Sequence, residues 1–433
     1  MLPKIVLGPH ALRAAWIAWG LFLVAACVVV VSEANRRPAN DAYARGAVRW
    51  AAGESLYVEG GGGFIYLPQS ALVYLPFALL PKWAEHSLWR VLTIGLFAVG
   101  VWRLCRLAGQ TVSFFPIVSL VVLPKTWTCA LNGQAAPAMA GLSMIALEEI
   151  HGRKWWLAAL LLALALAVKP LALVLVLVLA VLYRPLWVPF AATLTALAAA
   201  PFLAASPAYV LDQYRGAIGM FYAAAQRGLA PAWPQLFSLA RLAGIDASEE
   251  WQTAVRVAAA IGTLAVCWWV AHRGMSATSE LDPTPPNPPL LRGGVCPESK
   301  SEILNPEFEI PNPLSPLVII YSLATCYLLL FNPRTENNSY VLLSPVIGVM
   351  AAHSYFVERR GIKAALLTAA AIALIAGHEV CQVISPGLGF VWVGPLTALL
   401  YACGLLCQLL RDAPRAFQTV ARQESNLPAP QRI

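Results

Sequence analysis

Between Ala14 and Ser32 the chain runs nineteen residues without one charged side chain. An α-helix of about 20 apolar residues crosses the hydrocarbon of a bilayer, and a helix is one of the few structures that satisfies its own backbone there. Comparable runs at 13–32, 86–104, 113–130, 134–150, 155–168, 170–183, 187–204, 252–272, 315–331, 340–357, 363–380 and 389–409 predict about twelve spans, the pair within 155–183 being the shortest. Composition agrees. Of 433 residues, 59% are hydrophobic and only 12% charged, about half the charge of a water-soluble domain. Lipid must therefore cover most of the surface, and the fold class is an all-α, polytopic integral membrane protein. The first run is long enough to stay as a span rather than be removed as a signal peptide.

The net charge is +8, but the basic residues form short clusters between the apolar runs. That pattern points to topology and contact with membrane lipids, not to nucleic acid. With the N-terminus inside, Arg13, Arg103, Arg106, Arg153, Lys154, Arg184, Arg273, Arg359, Arg360, Lys363 and Arg411 all become cytoplasmic; the opposite orientation exports nearly all of them. Both termini are expected inside and the protein in the plasma (inner) membrane. The nine cysteines lie mostly within apolar runs and form no CxxC pair, so neither a disulfide framework nor a zinc site is indicated. GxxxxGK, GxGxxG and HExxH motifs do not occur.

This orientation leaves 33–85, Asn132-Gly133-Gln134, the turn at Lys169, 205–251, 332–339 and 379–388 outside. Residues 64–81 are apolar but carry Pro68, Pro76 and Pro81, which predicts an interfacial or re-entrant helix pair instead of a straight span. A kinked span there would invert everything after it and break the basic pattern. Residues 276–314, rich in proline and polar side chains, read as a disordered cytoplasmic insert within a transmembrane domain covering 1–410. Residues 411–433 read as a polar cytoplasmic tail.

Several polar residues on the outer side need a reason to be there. Asp41, Arg45 and Arg49 share one face of an amphipathic helix; Asp41 either faces a cavity or, like Asn40, caps that helix. Lys169, the only charge between Leu157 and Tyr183, suits a phosphate or snorkels to the interface. Residues 332–340 crowd hydrogen-bonding groups into one turn. Arg334 there can grip a phosphate while Glu336, Asn337 and Asn338 bind hydroxyls, or Asn338 or Ser339 caps the next helix. Asn132 and Gln134 flank a helix break at Gly133, with Lys125 two turns earlier. Their carboxamides either bind sugar hydroxyls or satisfy backbone groups that the break frees. Tyr209, Tyr214, Arg215, Tyr222, Arg227 and Trp233 in the loop 205–251 suit carbohydrate contact or an interfacial belt.

Taken in order, Asp41-x-Tyr43, Gly53-x-x-x-Tyr57, Tyr66-x-Pro68 and Pro76, Gly133-Gln134, Lys169-Pro170 and Asn332-Pro333-Arg334-Thr335-Glu336 resemble glycosyltransferase family 87 of the GT-C superfamily. The resemblance covers roughly residues 13–410 without the insert. It implies a GT-C-like helical bundle and a polyprenyl-phosphate sugar donor, with Asp41 as catalytic aspartate and Lys169 and Arg334 on the donor phosphate. Tyr43, Asn132, Gln134, Glu336, Asn337 and Asn338 would then contact the sugar or a lipid or glycan acceptor. Mannosyl-transferring members often carry a histidine in the late loop, where this chain has Glu336 and Asn337; the transferred sugar is therefore read as a hexose, with mannose one candidate. No cofactor is required, although Asp41 and Glu336 are able to coordinate a divalent metal. A transporter or flippase of a lipid-linked or anionic solute is the competing class; the chain shows no internal repeat of the kind many transporters carry.

The topology is directly testable. On a cysteine-free background, single cysteines at positions 41, 169 and 336 are expected to react with a membrane-impermeant maleimide from outside, and cysteines at 153 or within 276–314 only after permeabilisation. Outside labelling within 276–314 would overturn the orientation.

Overall fold

The computed structural model describes residues 8–32, 38–58, 64–226, 233–279, 314–333, 335–384 and 389–425, and among them it contains helices and no strand. The chain starts with α1 (Pro9–Ser32), α2 (Pro38–Ala52), α3 (Pro68–Ala78) and α4 (Lys82–Leu107). It continues through α5 (Thr111–Leu131), α6 (Ala136–His151), α7 (Trp155–Val168), α8 (Leu173–Leu182) and α9 (Trp187–Ala199). Then come α10 (Pro207–Gln226), α11 (Leu236–Leu242), α12 (Glu249–Ser279) and α13 (Pro316–Phe331). Finally, α14 (Ser344–Phe356), α15 (Gly361–Ile384) and α16 (Gly389–Ser425) complete it.

Among the described residues, seven helical segments are long and apolar enough to cross a membrane: Pro9–Ser32, Lys82–Leu107, Val112–Leu131, Arg184–Leu203, Glu249–His272, Asn337–Phe356 and Val391–Arg411. Shorter apolar helices occupy Trp155–Val168, Pro170–Leu182, Pro316–Phe331 and Gly361–Gly377. Among the described residues the runs expected to span are thus helical, seven of the segments having the full length for it and the others being shorter. The outward faces are apolar as well. Leu21, Val24 and Val28 on α1, Leu120 on α5 and Ile261 on α12 are each at least 60% exposed, which in a membrane is contact with lipid and not a defect.

Helices approach closely where side chains are absent. A β-carbon on Gly100 of α4 would lie 2.6 Å from the Gly141 Cα, and one on Gly141 of α6 would lie 2.3 Å from the Leu96 carbonyl oxygen. Such small-residue contacts are how helices pack when lipid removes the hydrophobic drive to associate. They fix α4 against α6, whose ends carry much of the site. The Trp19 Nε1–H donates to Ser119 Oγ at 3.0 Å and ties α1 to α5.

Residues 64–81 correct one expectation. They form a single helix, α3, not a pair. Pro68 stands in the first turn, where its missing N–H costs nothing, and Pro81 precedes α4. Eleven residues extend only about 16 Å, about half of the hydrocarbon thickness. At the other boundaries, α12 runs to Ser279, four residues into the proposed insert, and residues 280–313 lie outside the described ones. Likewise α16 continues past 410 to Ser425.

The end of the bundle opposite Asp41 is held by ion pairs. Arg103 contacts Glu148 at 2.7 Å, Arg106 contacts Glu148 at 3.1 Å and Lys154 contacts Glu149 at 3.1 Å, joining α4, α6 and the turn before α7. In the turn between α14 and α15, Lys363 Nζ donates to both oxygens of Glu358 at 3.0 and 2.9 Å and to Gln408 Oε1 of α16 at 2.6 Å. Burial alone would raise the Glu358 pKa, but hydrogen bonds to His353 and Lys363 outweigh it and hold the carboxyl at about 2. The folded-state pKa lies below the ordinary value, so this contribution to stability is complete above about pH 4.5 and is lost as pH falls towards 2. Glu358→Gln is expected to lower the unfolding temperature at pH 7 in detergent and to leave a shallower decline between pH 5 and 3 than the wild type shows. Parallel acid limbs in the two proteins would show that Glu358 does not carry the linkage.

Candidate active site

The site is built on a fully buried guanidinium. Arg90 of α4 has no exposed surface. Its Nε donates to the Ala130 carbonyl at 2.8 Å and its Nη2 to the Leu131 carbonyl at 2.9 Å, capping two of the last carbonyls of α5. Its Nη1 donates to the His86 carbonyl at 2.8 Å and to Asn40 Oδ1 at 3.0 Å. Asn40 Nδ2 reaches the Tyr74 hydroxyl, which donates to Glu85 Oε1 at 3.0 Å, and Lys82 pairs with the other Glu85 oxygen at 2.7 Å. This chain of bonds fixes the start of α2, and with it Asp41, to the turn that follows α5.

That turn has little room. Gly133 has φ +59°, and a β-carbon on it would fall 1.9 Å from Asn40 Oδ1. Only glycine meets both demands. The Gly133 carbonyl accepts from Trp89 Nε1 at 2.9 Å. Arg90 and Trp89 therefore take up the carbonyls freed at this break, and neither the Asn132 nor the Gln134 carboxamide is spent on them. Gln134 instead donates through Nε2 to Glu336 Oε2 at 3.3 Å.

Tyr43, one turn from Asn40 on α2, is buried. Its hydroxyl accepts from the Ala135 N–H at 3.2 Å and shares a hydrogen bond with the Tyr66 hydroxyl at 2.9 Å. Burial drives both phenols above their ordinary range, and the nearby Glu336 charge adds to the rise. They remain neutral hydroxyls that orient groups and do not act as bases. Asp41 is half-buried and sits four residues into α2, as Asn40 sits three, so neither occupies the cap position. The Asp41 carboxylate makes no hydrogen bond or ion pair among the described residues, and its charge reaches the buried His86 ring.

The late loop arrives from across the bundle. The Asn332 carbonyl accepts from Thr335 Oγ1 at 3.0 Å, and Cys129 Sγ donates to the Asn338 carbonyl at 3.3 Å. Glu336, Asn337 and Asn338 are half-buried, while Arg334 lies outside the described residues. Neither Asn338 nor Ser339 caps α14, which begins at Ser344 without a side-chain cap, and the buried Ser339 hydroxyl has no partner among the described residues. Lys169 ends α7 in an extended conformation and is 8% exposed. Its ammonium makes no hydrogen bond or ion pair among the described residues. Its neighbourhood is fixed by the Ser70 hydroxyl, which donates to the Ala167 carbonyl. The segment after α9 closes the same end: Gln213 Oε1 accepts from the Leu56 N–H at 2.8 Å, and the Tyr209 hydroxyl donates to the Glu54 carbonyl at 2.7 Å.

The structure thus gathers Tyr43, Gln134, Glu336 and Asn338 directly and sets Asp41, Asn132 and Lys169 at the same end. The sequence reading missed Arg90 and His86, took Asn40 only as a cap, and noted Lys125 only for its position before the break. Arg90 and Lys125 each stand inside an apolar run, and a lone charge there is a signal of the same kind that singled out Lys169.

An all-helical membrane protein with this cluster at one end of its bundle is the class that fold and site define. The chain belongs to glycosyltransferase family 87, whose family model matches residues 64–281, and it is therefore a glycosyltransferase. The match takes in Arg90, Lys125, Gly133, Gln134 and Lys169 but neither Asp41 nor the late loop. No curated protein matches the chain.

Arg90→Met removes four donated bonds and leaves buried carbonyls unpaired, each costing about 1–3 kcal/mol. The variant is expected to unfold at a markedly lower temperature in detergent. Gly133→Ala should do the same, and Asn40→Gly, which removes the overlapping carboxamide, should recover part of the loss in the double variant. Full stability of Gly133→Ala by itself would show that the turn does not need its left-handed residue.

Proposed function

We propose that the protein transfers a hexose from a polyprenyl-phosphate sugar to a lipid or glycan acceptor on the outer face of the plasma membrane. The GT-C-like bundle would have both termini in the cytoplasm, about twelve spans once the shorter helices are counted, and the first outer segment, α2 and α3, lying at the interface. The observation that carries the reading is that a carboxylate, Asp41, and an ammonium, Lys169, neither of them paired among the described residues, stand at one end of the bundle with a hydrogen-bonded Gln134–Glu336 pair at 3.3 Å. A transferase acting on a preformed sugar phosphate needs those parts: a base, a cation for the leaving group and groups for hydroxyls.

In this mechanism the acceptor hydroxyl attacks the anomeric carbon while Asp41 takes its proton. The anomeric C–O bond breaks with both electrons going to the phosphate oxygen, so a single displacement inverts the centre. Lys169 and Arg334 neutralise the departing phosphate. Tyr43, Asn132, Gln134, Glu336, Asn337 and Asn338 orient donor and acceptor; the Tyr43 hydroxyl, already bonded to Tyr66, acts by holding the start of α6 in place. No step calls for a metal.

Purified protein in nanodiscs, offered a panel of polyprenyl-phosphate hexoses with lipid and glycan acceptors, is expected to transfer one of them with inversion. Asp41→Asn should lower turnover by about 10²–10⁴-fold with donor affinity and unfolding temperature little changed. Lys169→Ala should weaken donor binding itself. Near-normal turnover of Asp41→Asn would remove Asp41 from the role and make Glu336 the best remaining carboxylate for it.

A further inference from the structure

Lys125 is a second buried ammonium at the same end of the bundle. It lies in α5, six residues before that helix ends at Leu131, and is 8% exposed. Neither a hydrogen bond nor an ion pair holds it among the described residues. An unpaired lysine in a membrane span costs several kcal/mol and is kept where a ligand supplies the missing charge. Its position on α5 says where that ligand would be. Cys129, one turn further along the same face, donates to the Asn338 carbonyl at 3.3 Å, so this face looks onto the late loop that carries Glu336. The charges of Lys125, Lys169 and Glu336 all reach the Cys129 thiol.

We infer that Lys125 acts with Lys169 on the leaving phosphate and answers the negative charge that develops on it during transfer. The inference rests on the donor being a lipid-linked sugar phosphate, as proposed above. Such a donor is a phosphodiester with one negative charge. When the anomeric C–O bond breaks, both of its electrons stay on the phosphate oxygen, the sugar is joined to the acceptor oxygen and the acceptor proton goes to Asp41. The product phosphate is then a monoester dianion. One cation matches the donor, and a second gains its partner only as the bond breaks. That is the kind of contact that speeds a reaction, because it is stronger in the transition state than in the ground state. Being buried away from bulk water makes the contact stronger still.

The test compares two probes in nanodiscs at pH 8: a polyprenyl monophosphate, doubly charged there, and the corresponding polyprenyl methyl phosphodiester, singly charged. Lys125→Met and Lys125→Gln are expected to lose about tenfold or more in affinity for the monophosphate and threefold or less for the diester, with Lys125→Arg restoring most of the difference. In the wild type, monophosphate affinity should rise as pH passes the second phosphate ionisation near 6, while diester affinity stays flat; this readout needs no variant. Equal losses for both probes, or no loss, would overturn the inference while leaving the donor class standing. Should the wild type bind neither phosphate better than the unphosphorylated polyprenol, the lipid-phosphate reading itself falls, and this one with it.

Discussion

A guanidinium with no exposed surface, inside a bundle wrapped by lipid, has to have its donors satisfied by protein. Arg90 meets that requirement with the carbonyls of His86, Ala130 and Leu131 and the side chain of Asn40. Three of these partners are backbone oxygens on α4 and α5, so the charge works as a rivet between two helices and the turn after α5. The fourth belongs to α2, outside the long helices. Because α2 is anchored through Asn40, the position of Asp41 next to it depends on a residue forty-nine positions along the chain. Burying a charge this way adds little net stability, since desolvation offsets much of the gain, but removing one partner is costly. The arrangement therefore fixes geometry more than it adds free energy.

The two ends of the bundle differ in the charges they leave without an ion pair. At the end that holds Glu148 and Glu149, and again at Glu358, the cations Arg103, Arg106, Lys154 and Lys363 each have a carboxylate within 4.0 Å. At the other end Asp41, Lys125 and Lys169 make no ion pair among the described residues, although Lys125 and Lys169 are as buried as many core side chains. Paired charges hold helices together. Unpaired ones cost stability that only a ligand of opposite charge recovers, and their concentration at a single end is what a binding site for a phosphorylated lipid would require.

Much of this was legible in the chain itself. The apolar runs located the helices because a lipid-exposed backbone has almost no alternative to one. Lys169 stood out as a lone charge, and Gly133 as a break. What could not be read was partnership. Gly133 looked like a flexible point freeing carbonyls for Asn132 and Gln134, whereas Arg90 and Trp89, some forty residues earlier, already take those carbonyls. A cap is one of two readings for Asp41 and the one given for Asn40; the helix starts earlier, at Pro38, whose fixed φ favours a first turn. The three prolines of 64–81 suggested a broken pair, yet two of them sit at helix starts, where proline is at home. Span number was the least legible feature, because α8, with ten residues, is as apolar as any span but far too short for one alone.

The identities of the groups at the site narrow the chemistry further. Tyr43 and Tyr66 are buried and bonded to each other, and Glu336 raises the cost of ionising either. Neither can serve as a base, although both are hydroxyls at the centre of the cluster. Glu336 is partly spent as well, accepting from Gln134 at 3.3 Å. Asp41 has no such bond among the described residues, is half-buried rather than enclosed, and stands in the first turn of α2. A base in a membrane-embedded transferase must be ionised when the acceptor arrives and must be free to take its proton. Of the carboxylates nearest the Arg90 network, Glu85 is held by Tyr74 and Lys82 and Glu336 by Gln134, whereas Asp41 makes no bond among the described residues and is the freest of these three to take a proton.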